Sequence, residues 1–185
     1  MHTTSASLLE RLQQTGEQVA WERFVQLYTP VLFAWARRLG LQGEDAADLV
    51  QEVFALLVRK LPEFRYDRGK KFRGWLYAVT RNKLREAKRR PTVPVVAADL
   101  AEQAGPQNGD FLAEAEYRQY VTNRALQLMQ ADFQPATWRA FWEHVGVGRP
   151  APEVAAEMGL TVGAVYAAKT RVLARLQAEL RGLLD

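Results

Sequence analysis

Residues 63–90 read EFRYDRGKKFRGWLYAVTRNKLREAKRR, and this basic stretch carries the strongest signal in the chain. The slightly wider window 59–90 holds 13 Lys and Arg against three acids, a net charge of +10. The flanking segments 1–58 and 91–185 each carry a net charge of −3. The positive excess of the protein therefore lies in one segment. Clustered cations attract the phosphates of nucleic acids without reading their sequence, so we expect a nucleic-acid surface here.

Aromatic residues alternate with the cations of this stretch. They are Phe64, Tyr66, Phe72, Trp75 and Tyr77. Apolar residues at the helical spacing i, i+3, i+4, i+7 predict a buried helix face, formed by Phe72, Trp75, Leu76 and Val79. A separate stripe of the same helix is basic, formed by Arg81, Arg85, Lys88 and Arg89. The alternative to nucleic-acid binding is a merely solvated face. Because aromatic faces stack on unpaired bases, the combination favours a surface for single-stranded nucleic acid.

The composition limits the class of protein. The chain has 185 residues, 48% of them hydrophobic, which allows one domain or two small ones. It has no cysteine and only two histidines, which argues against disulfides, thiol catalysis and cysteine or histidine metal sites. The first residues, MHTTSASLLERL, lack the pattern of a signal peptide, and no uninterrupted apolar run of about 18 residues occurs. We expect a soluble cytoplasmic protein with no cofactor and no membrane insertion.

Two amphipathic helices are predicted ahead of the basic stretch. The first runs from about residue 17 to 39, and Pro30 is expected to kink or divide it. The second runs from about residue 44 to 61 and carries acids in its first turn, which suit the helix dipole. Pro62 stops the second helix.

The second helix has an acidic face, for which three interpretations exist. Asp45, Asp48 and Glu52 follow the spacing i, i+3, i+7, which in a nuclease would suit a metal ion. No histidine accompanies them and no glycine-rich phosphate loop occurs, so the sequence does not support an enzyme. A solvated face and a face that docks on a partner remain.

A second motif lies near the end of the chain. A short helix over residues 152–158, a turn at Gly159 and a longer helix capped by Thr161 match the helix-turn-helix pattern. In that motif the first residues of the second helix enter a major groove of DNA. A plain helical hairpin has similar spacing. Cations without an intervening acid favour DNA, and they are Lys169, Arg171 and Arg175.

Taken together, these motifs resemble those of bacterial sigma factors of the extracytoplasmic-function (ECF, group 4) family. Residues 45–64, DAADLVQEVFALLVRKLPEF, are similar to the family's core-polymerase-binding helix and the segment that follows it. Residues 71–90, KFRGWLYAVTRNKLREAKRR, are similar to the segment that recognises and melts the nearer promoter element. Residues 154–180, VAAEMGLTVGAVYAAKTRVLARLQAEL, are similar to the helix-turn-helix that reads the more distant element.

The resemblance implies an all-α fold of two small helical domains. These are a sigma region 2 helical bundle over residues 1–90 and a sigma region 4 helix-turn-helix domain over 113–185, joined by a flexible linker at 91–112. It implies an alternative sigma factor that directs RNA polymerase core to promoters and melts them, and it allows an anti-sigma factor as a further partner. The alternative, a stand-alone helix-turn-helix regulator, gives no role to the acidic face or the basic stretch.

The resemblance also assigns three sets of residues. The polymerase-binding set is Asp48, Gln51, Glu52 and Phe54. The set for the nearer promoter element is Arg65, Tyr66, Lys70, Arg73, Trp75, Arg81, Asn82, Arg85, Lys88 and Arg89. The set for the distant element is Thr161, Ala164, Val165, Tyr166, Ala168, Lys169, Arg171 and Arg175.

One departure from the family pattern concerns the start of the last helix. Family members often carry a Lys/Ser/Arg-rich stretch there, whereas residues 162–168 read VGAVYAA. Arg and Lys make the usual strong contacts to guanine, and they are missing from this stretch. We therefore expect DNA reading by this domain to rest on Tyr166, Lys169, phosphate contacts and DNA shape.

Overall fold

The computed structural model describes residues 6–65, 71–89 and 114–184, and within these ranges the chain is helical without strands. The helices are α1 (Leu8–Leu12), α2 (Gln18–Arg38), α3 (Gly43–Lys60), α4 (Phe72–Arg89), α5 (Glu114–Met129), α6 (Pro135–Phe141), α7 (Ala151–Met158) and α8 (Val162–Glu179). The all-α prediction is confirmed for these ranges. None of the helices described is long and apolar enough to cross a membrane. The predicted linker lies outside the described residues.

Helices α1 to α4 form a bundle around an aromatic core. Phe24 and Tyr28 of α2 meet Phe72 of α4, with ring centroids 6.3 and 5.8 Å apart. These side chains, with Trp35, are almost fully buried. The edge-to-face geometry suits the quadrupoles of the rings, so the heavy aromatic stripe of α2 positions the start of α4.

Helix α2 is continuous through Pro30, although a kink or a division was expected. A proline lacks the N–H that would bond the carbonyl four residues earlier, which here belongs to Gln26. The guanidinium Nε of Arg124 in α5 donates a hydrogen bond to that Gln26 carbonyl, at 3.3 Å. The acceptor that proline leaves open is thus bonded by a helix from the other half of the chain.

The helix-turn-helix pattern is confirmed in α7 and α8. Gly159 ends α7 with φ of 64°, a left-handed conformation that glycine adopts without a steric penalty. The Thr161 hydroxyl oxygen then accepts a hydrogen bond from the Ala164 amide at 3.1 Å and caps α8. A small core of Ala151, Val154, Ala155 and Val165 fixes the two helices against each other.

The two halves of the chain share their main core. Residues of α5, of the end of α8 and of the segment after α8 belong to the same buried cluster as α1 to α4: Tyr117, Val121, Ala125, Met129, Leu176, Leu180 and Leu183. Spacing along the chain could not predict this packing, because the predicted linker separates the two segments. The domain limits at 90 and 113 stay a prediction.

Candidate polymerase and nucleic-acid interfaces

Helix α3 presents a polar face to solvent beside a buried apolar one. Asp48 and Gln51 are exposed, and the Glu52 side chain is 41% exposed with its Oε2 atom 3.8 Å from Lys83 Nζ of α4. Phe54 differs from the other three predicted polymerase-binding residues. It is half-buried, and its ring lies 6.0 Å from that of Phe24. The exposed part of the predicted polymerase-binding set is therefore a surface of carboxylate and amide side chains. No element that the structure describes covers it.

The exposed face of α4 is basic over three turns. Its buried face is formed by Phe72, Leu76, Val79, Thr80 and Leu84. Five of the predicted DNA-binding residues lie on the exposed face: Arg81, Asn82, Arg85, Lys88 and Arg89. The charge and apolar stripes predicted from spacing thus occupy separate sides of one helix, and phosphates can reach the cations without disturbing the core.

The start of α4 carries a half-buried aromatic cluster. The Trp75 ring lies 4.7 Å from Phe64 and 5.7 Å from Phe72, so it packs on the core and keeps part of its surface exposed. Gln13, directly after α1, donates from Nε2 to the Phe64 carbonyl at 2.6 Å and fixes the chain before α4. Arg65 is exposed beside this cluster and donates to the Pro62 carbonyl at 2.9 Å.

Two predicted residues of the nearer-element set, Tyr66 and Lys70, lie outside the described residues. Arg73, a third member, is half-buried and points toward α5: its Cζ atom lies 5.5 Å from the ring centroid of Tyr117. The adjacent Lys71 reaches the same helix, with its Nζ atom 3.0 Å from Glu114 Oε1. The first cations of α4 therefore contact the C-terminal half of the chain.

The recognition helix α8 presents only part of its predicted set. Tyr166 and Arg171 are exposed, Thr161 is exposed at the cap, and Ala164 and Lys169 are partly exposed. Val165 and Ala168 are 0% and 5% exposed, so the prediction that they contact DNA is corrected: their side chains form core. Arg175 is half-buried, and its Nη1 atom lies 2.7 Å from the buried Glu179 carboxylate, toward the far end of the helix, so its contact with DNA stays a prediction.

His144, which was not predicted as a site residue, orients the exposed tyrosine. Its ring meets that of Tyr166 edge to face, with centroids 5.5 Å apart. Its Nδ1 atom is 2.8 Å from the Arg149 carbonyl oxygen. The histidine lies in a π-helical turn, Trp142–Gly146, where a Cβ atom on Gly146 would come within 2.8 Å of the Trp142 ring. Glycine thus permits the wide turn that carries His144 toward α8.

An ion-pair cluster ties this turn to α7. The guanidinium of Arg149 contacts Glu143 at 3.0 Å and Glu157 at 2.6 Å, and Arg139 contacts Glu157 at 3.1 Å. The hydrogen bond from Arg149 lowers the pKa of Glu157 below its ordinary value. Because these ion pairs are partly exposed, each contributes little to the free energy of folding. Their main effect is to align α6 with α7.

Comparison with known proteins identifies the family. The model of Sigma-70 region 2 matches residues 24–92, a range that covers most of α2 and all of α3 and α4. ECF RNA polymerase sigma factor SigD of Mycobacterium tuberculosis is 30% identical over 176 residues, which cover 89% of this chain and 79% of SigD. The chain belongs to the ECF RNA polymerase sigma factors. CnrH of Cupriavidus metallidurans, an RNA polymerase sigma factor, is 27% identical over 92% of this chain and 90% of its own.

A solved structure of CnrH in complex with the cytosolic domain of CnrY aligns with 92% of this sigma factor and 93% of that chain. The sequence identity is 24% and the TM-score is 0.37.

Membership in the sigma factors removes the stand-alone regulator as an interpretation. In the described residues, no group of three or more His, Cys, Asp or Glu side chains is placed to hold a metal ion.

Proposed function

We propose that this sigma factor docks on RNA polymerase core through the exposed face of α3 and holds an opened promoter strand on α4. The observation that carries the proposal is that two adjacent helices of one rigid bundle carry opposite charge outward. The acids of α3 are Asp45, Asp48 and Glu52, and the cations of α4 are Arg81, Arg85, Lys88 and Arg89. Helices α3 and α4 pack on a common core, so the distance between their exposed faces is fixed. A polymerase bound to α3 therefore holds its promoter DNA at a fixed distance from α4.

The cations of α4 contribute affinity for DNA, and the aromatic residues at the start of α4 capture unpaired bases. Each phosphate neutralised by Lys or Arg releases a condensed counterion, without regard to sequence. Opening a base pair costs a few kcal/mol, and stacking a base on an aromatic ring returns about 1–3 kcal/mol. Trp75 and the predicted contact Tyr66 supply such rings next to the cations. We infer that the protein traps a transient opening of the duplex rather than performing a chemical step, so it is not an enzyme.

The helix-turn-helix is assigned to the more distant promoter element. The exposed residues in the first two turns of α8 are small or aliphatic apart from Tyr166, which is 50% exposed. The Thr161 hydroxyl accepts a hydrogen bond from the Ala164 amide and keeps its own proton, so Thr161 and Tyr166 are the side chains there that can hydrogen-bond to DNA. Arg171 is exposed further along the helix, and we assign it to a phosphate contact.

The proposal extends to domains, partners and location. Residues 1–90 would act as region 2 and residues 113–185 as region 4, joined by the linker at 91–112. Promoter DNA and core polymerase would be the obligatory partners, in the cytoplasm. An anti-sigma factor is a further proposed partner, because the relative CnrH is known in complex with the cytosolic domain of CnrY.

Association with core polymerase tests the docking surface. The double variant Asp48→Ala, Glu52→Ala is expected to weaken co-elution with core by about tenfold or more while leaving the fold intact. The double variant Glu22→Ala, Glu153→Ala removes the same charge from exposed positions away from α3 and serves as the control. If the two double variants bind core equally, the assignment of α3 is wrong.

A further inference from the structure

We propose that Val162, the first residue of the recognition helix α8, reads the C5-methyl group of a thymine in the distant promoter element. The inference rests on the proposed function of α8 as the reader of that element. It adds the chemical group that is recognised and the residue that recognises it. Selection of the distant element then depends on an apolar contact as well as on hydrogen bonds.

The start of α8 offers DNA an aliphatic surface. Residues 162–168, VGAVYAA, contain no charged or amide side chain. Val165 is buried in the small core shared with α7, so the opposite side of the helix is left for DNA. Val162 is 38% exposed, and Tyr166, one turn later, is exposed beside it. Val162 is therefore the largest exposed aliphatic side chain in the first two turns of this helix.

This surface suits one group of the major groove better than the others. Every base pair presents hydrogen-bond donors or acceptors there, whereas thymine alone of the four ordinary bases adds an apolar group, its C5-methyl. An aliphatic side chain that covers a donor or an acceptor leaves it without a partner, which costs binding free energy. A methyl group packed on Val162 loses no hydrogen bond and leaves water. Val162 thus favours thymine at the position that it covers.

Gly163 indicates that the helix backbone comes close to DNA. The helical repeat places Gly163 on the side opposite Val165, where it is exposed, and its φ is not positive, so its conformation does not require glycine. A Cβ atom there would meet only the Thr161 Oγ1 atom, at 3.9 Å. Glycine within a helix is less stable than alanine, so the fold alone does not favour it. Close approach of a ligand does, and it brings the short Val162 side chain to a base edge.

The start of α8 is fixed before DNA binds. The Thr161 hydroxyl caps the helix by accepting from the Ala164 amide at 3.1 Å. Val165 is fully buried, and the Tyr166 ring meets that of His144 with centroids 5.5 Å apart. Little conformational entropy is left to lose when this surface binds, so the contact of a single methyl group appears in the measured affinity.

The test uses holoenzyme reconstituted from core polymerase and the full chain, and a fluorescein-labelled duplex of a mapped promoter. Each thymine of the upstream element is replaced in turn by deoxyuridine, which lacks only the C5-methyl group. At one position the affinity of the unmodified protein is expected to fall about three- to fivefold, the scale of one methyl group returned to water. Val162→Ala should bind the thymine and deoxyuridine duplexes equally at that position. Val19→Ala makes the same change at an exposed position of α2 and should keep the full loss.

Gly163→Ala gives a second and independent readout. The added methyl group is expected to lower the affinity of the holoenzyme for the intact duplex about fivefold or more, while the Tm of the free protein stays at or above that of the unmodified protein. Gly43→Ala makes the same change in the first turn of α3, where a Cβ atom would also meet nothing within 4 Å, and should leave the affinity unchanged. A lower Tm of Gly163→Ala, or an unchanged affinity, would overturn the close approach.

Three results would overturn the reading of thymine by Val162. They are an upstream element of G·C pairs alone, the same affinity for every deoxyuridine duplex as for the intact one, and a loss that persists in Val162→Ala. A further duplex with the upstream element scrambled separates these failures from a failure of the proposed function. Equal binding to the scrambled and intact duplexes would overturn the assignment of α8 to the distant element, and the inference with it.

Discussion

The hydroxyl oxygens of Tyr28 and Tyr117 lie 2.7 Å apart in the core, although 89 positions separate the two residues in the chain. Burial raises the pKa of both phenols, so both remain neutral. The Tyr117 hydroxyl donates to the Leu183 carbonyl, so the Tyr28 hydroxyl is the donor to Tyr117. The bond joins α2, within the region 2 match, to α5, outside it. This hydrogen bond between the N-terminal and C-terminal halves therefore contributes to the stability of the whole chain.

Removing one of these hydroxyls is expected to destabilise the fold. Tyr117→Phe deletes the partner of Tyr28 and of the Leu183 carbonyl, and should lower the free energy of unfolding by about 1–3 kcal/mol in urea denaturation. Tyr120→Phe makes the same chemical change at a half-buried position on the same helix and is expected to stay within about 0.5 kcal/mol. Equal losses in the two variants would refute a structural role for the tyrosine pair.

Acid is expected to loosen the contact between the halves. The hydrogen bond from Arg23 lowers the pKa of Asp132, so this carboxylate stabilises the folded state above its unfolded pKa, near 4. That contribution is lost as the pH falls through the lower folded pKa. Unfolding free energies measured between pH 6 and pH 3 should therefore fall more steeply for the unmodified protein than for Asp132→Asn. Parallel curves for the two proteins would show that the pair with Arg23 carries no pH dependence.

Tyr166 and His144 are expected to act together at the distant promoter element. Tyr166→Ala should weaken binding to a duplex carrying a mapped upstream element by about tenfold, the scale of one lost base contact. His144→Ala leaves the tyrosine without its edge contact and should weaken binding by a smaller factor, which His144→Phe restores. Gln177→Ala, at the other end of α8, is the control. The positioning role is wrong if His144→Ala and Gln177→Ala have the same effect.

Much of the fold was predictable because it depends on local patterns. The apolar stripe of α4 and the cap of α8 at Thr161 follow from spacing and from side-chain chemistry, and both are confirmed. Each of these features is decided by residues within a turn or two of one another.

Features that depend on distant residues escaped prediction. Spacing cannot reveal that Tyr117 bonds Tyr28, or that Arg124 satisfies the carbonyl left open by Pro30. The burial of Val165 follows from the packing of α7 on α8, which a family motif does not display. The π-helical turn that carries His144 had one signal in the sequence, which is Gly146 shortly after Trp138 and Trp142. That signal alone does not predict a π-helical turn.

The central claim is that α4 grips the opened strand, and permanganate reactivity of promoter thymines tests it most directly. Promoters are first mapped by in vitro transcription of genomic fragments with core polymerase and this sigma factor. The unmodified protein should then open the mapped promoter. Arg85→Ala with Lys88→Ala should reduce the reactive thymines strongly and lower the slope of log affinity against log salt by about 2.

Arg37→Ala with Arg38→Ala removes the same charge from the exposed end of α2 and provides the comparison. The account predicts that this control opens the promoter nearly as well as the unmodified protein, while the α4 variant does not. Equal permanganate footprints for the α4 variant and the unmodified protein across the salt series would contradict it.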